Sequence, residues 1–302
     1  MKCTAAASLA LAGLMLTATA FGQTCPPPGM SREQLLELKS HEFKLSDTSR
    51  RQALALDLVA CLGSPDPTLR DGVAFEALAA WMRDKQLSPA TVGRIRDQLV
   101  AQLALDYPDP TGVKRPFAAL VLAEVARVDR VEQFMTAQQL QQLVDAGTRY
   151  LQSVRDYRGF DEREGWRHGV AHSSDLMLQL AVNPRTTKAQ LDQMLAAIAA
   201  QIAPAGEHFY IYGEDDRLAQ AVFYIAQRKL HTADEWRKWF DRVAAPAPLP
   251  KWADAWTSQQ GIAKHQNTWA FLTTLYVYVR ESGAEFQDLV LPSIVAGIKQ
   301  LQ

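Results

Sequence analysis

The 302-residue sequence has few cysteines, almost no net charge and, beyond its first residues, no long apolar run. Its three cysteines, at positions 3, 25 and 61, exclude a CxxC redox centre and a cysteine-ligated zinc site. The 32 basic and 33 acidic residues are dispersed, without a basic cluster flanked by aromatic residues, which argues against a nucleic-acid partner. No segment after residue 22 is long or apolar enough to cross a bilayer, so we expect no membrane span in the mature chain.

The N-terminus has the layout of a secretory signal peptide. A short basic start is followed by apolar or small residues at 5–20, and Ala20-Phe21-Gly22 places small residues where a signal peptidase cuts. We therefore predict a signal peptide over residues 1–22, cleavage before Gln23, and a periplasmic or secreted protein. The alternative is an uncleaved anchor, for which an alanine-rich run of about 18 residues is marginal, since a span needs roughly 20.

Two cysteines remain after removal of the signal peptide. In an oxidising compartment they predict one disulfide, Cys25–Cys61, which would tie the proline-rich start of the mature chain to an early helix. The chain-entropy estimate for a loop of this size is about 4 kcal/mol of stabilisation. Two unpaired thiols are the alternative.

Apolar residues recur at intervals of three and four from residue 31 onward, which is the helical period. Examples are the stripes formed by Leu54, Leu58 and Cys61, and by Leu191, Leu195, Ile198 and Ile202. Runs of alternating β-branched residues are absent, and the nearest approach, residues 209–212, is too short to found a sheet. The pattern predicts an all-α fold.

Four segments begin with a hydroxyl residue that suits a helix N-cap. These caps are Ser88, Thr136, Thr187 and Thr232, spaced 48, 51 and 45 residues apart. A further helix is predicted before each cap, over residues 69–85, 116–128, 165–181 and 215–227, with a final pair over 264–281 and 285–301. Two helices per roughly 45–50 residues is typical of HEAT-like and armadillo-like arrays, so we expect helix pairs stacked as an α-solenoid. An irregular bundle with accidental cap spacing is the alternative.

The same pattern gives the domain organisation. Residues 46–302 are expected to form a single α-helical repeat domain. Residues 23–45 would be a proline-containing segment with the first helix.

Residues 157–175 have an unusual composition. Wound as a helix from Trp166, they place His168, His172 and Asp175 in one sector, with Gln179 on the same face and Trp166 on the other. Residues four apart lie about 6 Å apart at Cβ, so both imidazoles would reach one ligand or one divalent metal ion. Asp175 would be a third ligand or would orient one ring through its other nitrogen. The plainer alternatives are an ordinary solvent face and histidines that hydrogen-bond within the fold.

In a stacked array the neighbouring repeats would bring further polar residues to this segment. Glu214, Asp215, Arg217 and His265 are expected to approach the histidines, with Arg158 and Arg217 as ion-pair partners or anion contacts. Aromatic side chains would wall the groove, namely Phe209, Tyr210, Tyr212, Trp252 and Trp256. The carboxylates at 214–216 also suit a helix N-terminus, which is their ordinary explanation.

Standard catalytic motifs are missing. His168 is followed by Gly169, so there is no HExxH motif, and we find no nucleophile elbow, phosphate-binding loop or dinucleotide fingerprint. A hydrolase would have to use Asp175 or Glu214 as a base beside a histidine-bound metal.

Three motifs occur in order along the chain. They are Tyr157-Arg-Gly-Phe160, then Gly165-Trp-Arg-His-Gly-Val-Ala-His172 with Asp175, then Glu214-Asp-Asp-Arg-Leu-Ala219. Together they resemble a bacterial family described as domain of unknown function 2785, from about residue 45 to the end. The resemblance implies a helical fold and no established activity, so it assigns no catalytic role. It implies that these motifs define the family.

The sequence leaves three functions open. The first is an exported helical-repeat protein that binds a small molecule or peptide in a groove around His168, His172 and Asp175. The second is a metal-dependent hydrolase that uses the same three residues as metal ligands. The third is a structural interaction module in which the histidines tie repeats together.

Overall fold

The computed structural model describes residues 24–302, so the predicted signal peptide lies outside the described residues. The described chain is mostly helical, which confirms the all-α prediction. Its helices are α1 Arg32–Ser40, α2 Thr48–Leu58, α3 Pro67–Leu69, α4 Glu76–Arg83, α5 Pro89–Gln102, α6 Lys114–Val131, α7 Ala137–Ser153, α8 Gly169–Ala181, α9 Lys188–Ile202, α10 Glu214–Gln227, α11 Ala233–Val243, α12 Gln259–Glu281 and α13 Gln287–Gln300. The strands are β1 Phe160–Asp161 and β2 Gly165–Trp166.

The four helix starts predicted from capping residues are confirmed. Ser88, Thr136, Thr187 and Thr232 are the N-caps of α5, α7, α9 and α11. Each hydroxyl accepts a hydrogen bond from a backbone N–H in the first turn, which otherwise has no partner within the helix. The three threonine caps also form capping boxes with a Gln or Glu three residues later.

Successive helices alternate between two rows. One row consists of α6, α8, α10 and α12, which contact each other in that order. The other contains α5, α7 and α9 in contact, continued by α11 and α13, and Trp239 of α11 donates from Nε1 to the backbone oxygen of Leu195 in α9 at 3.1 Å. One continuous apolar core fills the space between the rows. The row of α6, α8, α10 and α12 includes α8, which contains the end of the polar segment 157–175 singled out in the sequence.

The N-terminal segment is joined to this core. Leu35 of α1 is fully buried in the same apolar cluster as the later helices. Cys25 and Cys61 form a disulfide, with their Cα atoms 4.9 Å apart, as predicted. Cys61 lies in the 3₁₀ helix Val59–Gly63 that follows α2.

The helix predicted over residues 69–85 is continuous but not uniform. Between α3 and α4 the backbone forms a π-helix over Arg70–Phe75, a wider turn that is often found at functional sites. The π-helix directs the Arg70 side chain inward, where it is fully buried, and sets Phe75 beside the polar segment.

None of the helices in residues 24–302 is both long enough and apolar enough to cross a membrane.

Candidate functional site

The start predicted for α8 is wrong. The chain forms a two-residue antiparallel ladder, pairing Phe160 with Trp166 and Asp161 with Gly165, and the helix begins only at Gly169. Gly165 and His168 have φ angles of 70° and 55°, which an α-helix excludes. Trp166 therefore does not lie opposite the histidines; its ring stacks on His168, with centroids 4.7 Å apart.

Two glycines allow this hairpin to pack closely. A Cβ on Gly159 would lie 2.0 Å from the ring of Tyr212, so only glycine lets that ring lie against the hairpin. A Cβ on Gly165 would meet Pro67 and the guanidinium of Arg70, at 2.7 and 2.9 Å. The glycines of the sequence motifs are thus explained by close approach of neighbouring elements.

Replacing Gly159 with alanine is expected to displace Tyr212 and with it the backbone oxygen that holds His168. The methyl group would overlap the ring, and overpacking of this kind costs about 1–3 kcal/mol. Urea unfolding and hydrogen exchange of residues 157–172 measure the loss. Gly93→Ala is the control, because a Cβ there meets nothing within 4 Å. Equal behaviour of the two variants would contradict the prediction.

Arg70 fastens the hairpin to the body of the protein. Its guanidinium donates to the backbone oxygens of Ser64, Glu164 and Trp166 at 3.1, 2.7 and 3.1 Å. Its Nε lies 2.6 Å from Asp71 Oδ1, an ionic contact without hydrogen-bond geometry. The guanidinium also lies 4.9 Å from the ring centroid of Phe117, which is in turn in edge contact with His172. Burial raises the pKa of Asp71, against the opposing effect of Arg70.

A cleft of about 420 Å³ opens where α4, α6, α8 and α10 meet. Its polar lining is formed by Arg83, Glu124, His168, His172, Asp175, Gln179 and Arg217. Its apolar lining is formed by Phe75, Leu120, Ala123 and Leu178. The structure thus brings together the predicted sector of His168, His172, Asp175 and Gln179, and adds Arg217 from α10.

The ring of His168 is held by a hydrogen bond to the backbone of Tyr212. Its Nε2 lies 3.1 Å from the backbone oxygen of Tyr212, and since a carbonyl only accepts, Nε2 carries the proton and Nδ1 is an acceptor. Glu214 Oε1 lies 3.9 Å from the same nitrogen. Burial lowers the pKa of His168 to about 4, so at neutral pH the ring is uncharged and this contact is not an ion pair. Burial also raises the pKa of Glu214.

His172 lies deeper, one turn into α8. The centroids of the two imidazole rings are 5.5 Å apart, and the rings of Phe117 and His172 form a T-shaped pair with centroids 5.1 Å apart. Burial, with smaller contributions from His168 and Arg217, lowers its pKa to about 3. Its Nδ1 is buried and has no hydrogen-bond partner among the described residues.

The charged groups of the cleft form two pairs. Arg217 NH1 donates to both carboxylate oxygens of Asp175 at 2.7 and 2.8 Å, and burial still raises the pKa of Asp175. Arg83 Nε donates to Glu124 Oε2 at 3.0 Å, and a second nitrogen of Arg83 contacts the other oxygen. With both histidines neutral, the lining has no net charge.

The geometry gives the metal hypothesis no support. Within residues 24–302, no group of three or more His, Cys, Asp and Glu side chains is arranged to hold a metal ion. Asp175, the expected third ligand, is occupied by Arg217.

Other residues expected near the histidines lie elsewhere. Asp215 faces α12, with Oδ2 3.5 Å from the hydroxyl of Thr274. Arg158 pairs with Asp156 in a neighbouring cleft. Of the expected aromatic walls, only Tyr212 contacts His168, since Tyr210 packs on Tyr157 and His208, and Trp252 and Trp256 surround His265. His265 is not part of the cleft, because its Nε2 bonds to the backbone oxygen of Leu301 at 3.0 Å.

Six lining residues were missed by the sequence reasoning. Phe75 and Arg83 come from the segment before α5, Leu120, Ala123 and Glu124 from α6, and Leu178 from α8. One signal was available: Glu124 is the single carboxylate in the apolar stretch of residues 116–126, where an uncompensated charge would be costly. Its partner Arg83 lies 41 residues earlier, and no comparable sequence signal singled it out.

The two histidines are expected to make the protein acid-sensitive. Their folded pKa values, about 4 and about 3, lie below the unfolded value of 6.5, so the unfolded state binds more protons as pH falls below 6.5. Their contribution, complete above pH 6.5, is lost toward the folded pKa values at about 1.4 kcal/mol per pH unit for each ring.

Urea unfolding at about pH 7 and about pH 5 checks this expectation. The raised pKa values of Asp175 and Glu214 act in the opposite direction, because carboxyls protonated more readily when folded favour folding in acid. The informative quantity is therefore the difference in pH dependence between wild type and His172→Gln. The free energy of unfolding of His172→Gln should fall less steeply between about pH 7 and about pH 5. Identical pH dependence in the two proteins would contradict the prediction.

The fold and the cleft define a class: an all-helical domain with a buried, charge-balanced polar cleft at the N-terminal ends of two neighbouring helices. The chain belongs to the family described as protein of unknown function (DUF2785), whose model matches residues 85–277, more than half of the chain. The match confirms the family resemblance seen in the motifs, over a shorter span than expected. Comparison with curated proteins and with solved structures gave no match.

Proposed function

We propose that this protein binds a small, uncharged or zwitterionic polar molecule in the cleft around His168, His172 and Asp175. The observation that carries the proposal is a pair of buried polar atoms in one cleft, His172 Nδ1 and Gln179 Oε1. Neither has a hydrogen-bond partner among the described residues. Leaving such an atom unpaired costs about 1–3 kcal/mol, so two of them in one cleft favour a site built to pair with a ligand.

The lining defines the chemistry of the ligand. Since the two ion pairs cancel and both imidazoles are neutral, a strongly charged ligand would gain little to offset its loss of hydration. His168 Nδ1 and Gln179 Oε1 are acceptors, and His172 Nδ1 accepts in the tautomer that carries its proton on Nε2, so the ligand would present several O–H or N–H donors. The apolar side of the cleft suits a small carbon skeleton, as in a sugar or an amino acid.

The proposal includes an exported protein built as a HEAT-like solenoid. The alternation of helices between two contacting rows supports the solenoid. The Cys25–Cys61 disulfide supports export, because disulfides persist mainly in oxidising compartments. The N-terminal residue pattern supports it independently.

Thermal-shift and calorimetric titration of the full mature chain with two panels tests ligand binding. The first panel contains neutral monosaccharides and zwitterionic amino acids, and the second contains inorganic phosphate and spermidine as charged probes. Binding is expected in the first panel only. Gln179→Met keeps the volume and removes one orphan polar group, so it should retain the melting temperature and weaken binding about tenfold. Gln98→Met is the matched control, because Gln98 is also half-buried, its Oε1 has no hydrogen-bond partner among the described residues, and it lies outside the cleft. Binding confined to charged probes, or unaffected by Gln179→Met, would overturn the proposal.

A structural role for the histidines is the second candidate. Their burial and the contact of His168 with the Tyr212 backbone, which joins α8 to the segment before α10, favour it. Under this alternative His168→Ala lowers stability and no probe binds. Elemental analysis of untagged protein separates the hydrolase: about one metal ion per chain, absent from the His168→Ala/His172→Ala variant, would replace both candidates.

A further inference from the structure

A second cleft, of about 680 Å³, lies between the ends of α4 and α6 and the starts of α2 and α5. It shares Arg83 with the histidine cleft but contains none of the histidines. Its size is within the range of about 300–1,000 Å³ that is usual for small-molecule sites. None of the three family motifs contains a residue of this cleft.

The wall of this second cleft is largely apolar. Its apolar side chains are Met82, Leu87, Val92, Val128, Val131 and Phe134. Met82, Leu87 and Val92 are buried at its base, whereas Val131 at the lip is 53% exposed. An apolar base with an open, apolar lip would gain from covering a hydrocarbon chain.

The charges around this wall are mostly positive. Four cationic side chains and one carboxylate line the cleft. Two of the cations are neutralised. Arg83 pairs with Glu124. Lys85 pairs with Glu132, with Nζ and Oε2 3.4 Å apart. The other two, Arg51 and Arg127, have no carboxylate partner within residues 24–302.

The two remaining guanidiniums differ in their contacts. Arg51 donates to the backbone oxygens of Leu45 and Gln86 and to the Thr48 hydroxyl, which position it without neutralising it. Arg127, half-buried on the last turns of α6, has neither a hydrogen-bond nor an ion-pair partner in the described part of the chain. A half-buried, unpaired guanidinium beside apolar side chains is complementary to a carboxylate that carries an apolar group.

We propose that this cleft binds a free single-chain amphiphilic carboxylate, such as a fatty acid, with its carboxylate on Arg127 and its chain along the apolar wall. An acidic peptide fits less well, because its backbone donors and acceptors would lie against apolar side chains. A membrane surface fits less well, because the apolar groups line a concavity and only Val131 is well exposed. This site is independent of the ligand proposed for the histidine cleft.

The test is titration of the full mature chain with decanoate and with 1-decanol, each below the concentration at which it aggregates. Decanoate should bind at least about tenfold more tightly, because only it can pair with a guanidinium. Arg127→Gln should abolish that difference. Arg130→Gln, on the same helix, exposed and outside the cleft, is the control and should retain it.

A second variant guards against loss of fold. Val131→Asp places a carboxylate at the exposed lip, so it should weaken decanoate binding at least about tenfold while the melting temperature stays unchanged. Equal affinity for decanoate and 1-decanol, or unchanged decanoate affinity in Arg127→Gln, would overturn the proposal. So would absence of binding in solution together with retention on phosphatidylglycerol vesicles, which would indicate membrane contact instead.

Discussion

Replacing Arg70 with methionine is expected to lower the free energy of unfolding by about 3–5 kcal/mol, the usual cost of removing one partner of a buried ionic contact. The side chain of Arg70 is 1% exposed, and it pairs with three backbone oxygens and with Asp71. Methionine fills much of the volume but leaves those oxygens without a donor. The Asp71 carboxylate, whose pKa burial already raises, loses its only ionic partner among residues 24–302.

The effect of Arg70→Met should be concentrated in the hairpin that positions His168. Hydrogen exchange of residues 157–172 is therefore expected to rise more than that of α9, and urea unfolding measures the total. Arg50→Met, the same substitution at an exposed position on α2, is the control and should cost less than about 0.5 kcal/mol. Arg70→Met/Asp71→Asn removes the stranded charge and should recover part of the loss. Similar stabilities of the Arg70 and Arg50 variants would refute the anchoring role.

Loss of the disulfide is expected to have the second large effect. Cys25 and Cys61 are separated by 36 residues, and opening a loop of that length costs about 4 kcal/mol in the chain-entropy model. Cys25→Ser tests this with little disturbance of the core, since Cys25 is only partly buried whereas Cys61 is fully buried. The urea midpoint of the variant should fall well below that of the oxidised wild type.

Reduction provides the internal control for the disulfide. Dithiothreitol should lower the midpoint of the wild type to that of Cys25→Ser and leave the variant itself unchanged. A wild-type midpoint that does not respond to reduction would show that the bridge contributes nothing to stability. A drop in the variant upon reduction would point to a different disulfide.

The helical elements were predictable because their signals are local. Thr136 and Thr187 cap helices through hydrogen bonds to residues three positions later, and the apolar stripes repeat within a few turns. The same local reasoning placed His172, Asp175 and Gln179 on one face of α8, where the structure has them. It failed at Trp166 and His168, which precede the helix.

The failure at the hairpin has a long-range cause. The glycine-rich segment 159–169 permits several backbone conformations, and it is held in one by Arg70, which lies 94 residues before Glu164, and by Tyr212. The cleft likewise depends on Arg83 meeting Glu124 across 41 positions. The spacing of apolar and polar residues along the sequence does not indicate which distant residues will pair.

The amino-acid sequence by itself determined the all-α class, the four capped helix starts, the disulfide and the polar face of α8. These depend on hydrogen bonds and apolar spacing within one or two helical turns, or on cysteine chemistry. Only the tertiary structure decided that His168 has a left-handed backbone conformation and a neutral ring, and that Asp175 is paired with Arg217. It also decided that Arg127 has no hydrogen-bond or ion-pair partner within residues 24–302. Those properties depend on burial and on contacts between distant residues, which arise only when the helices pack.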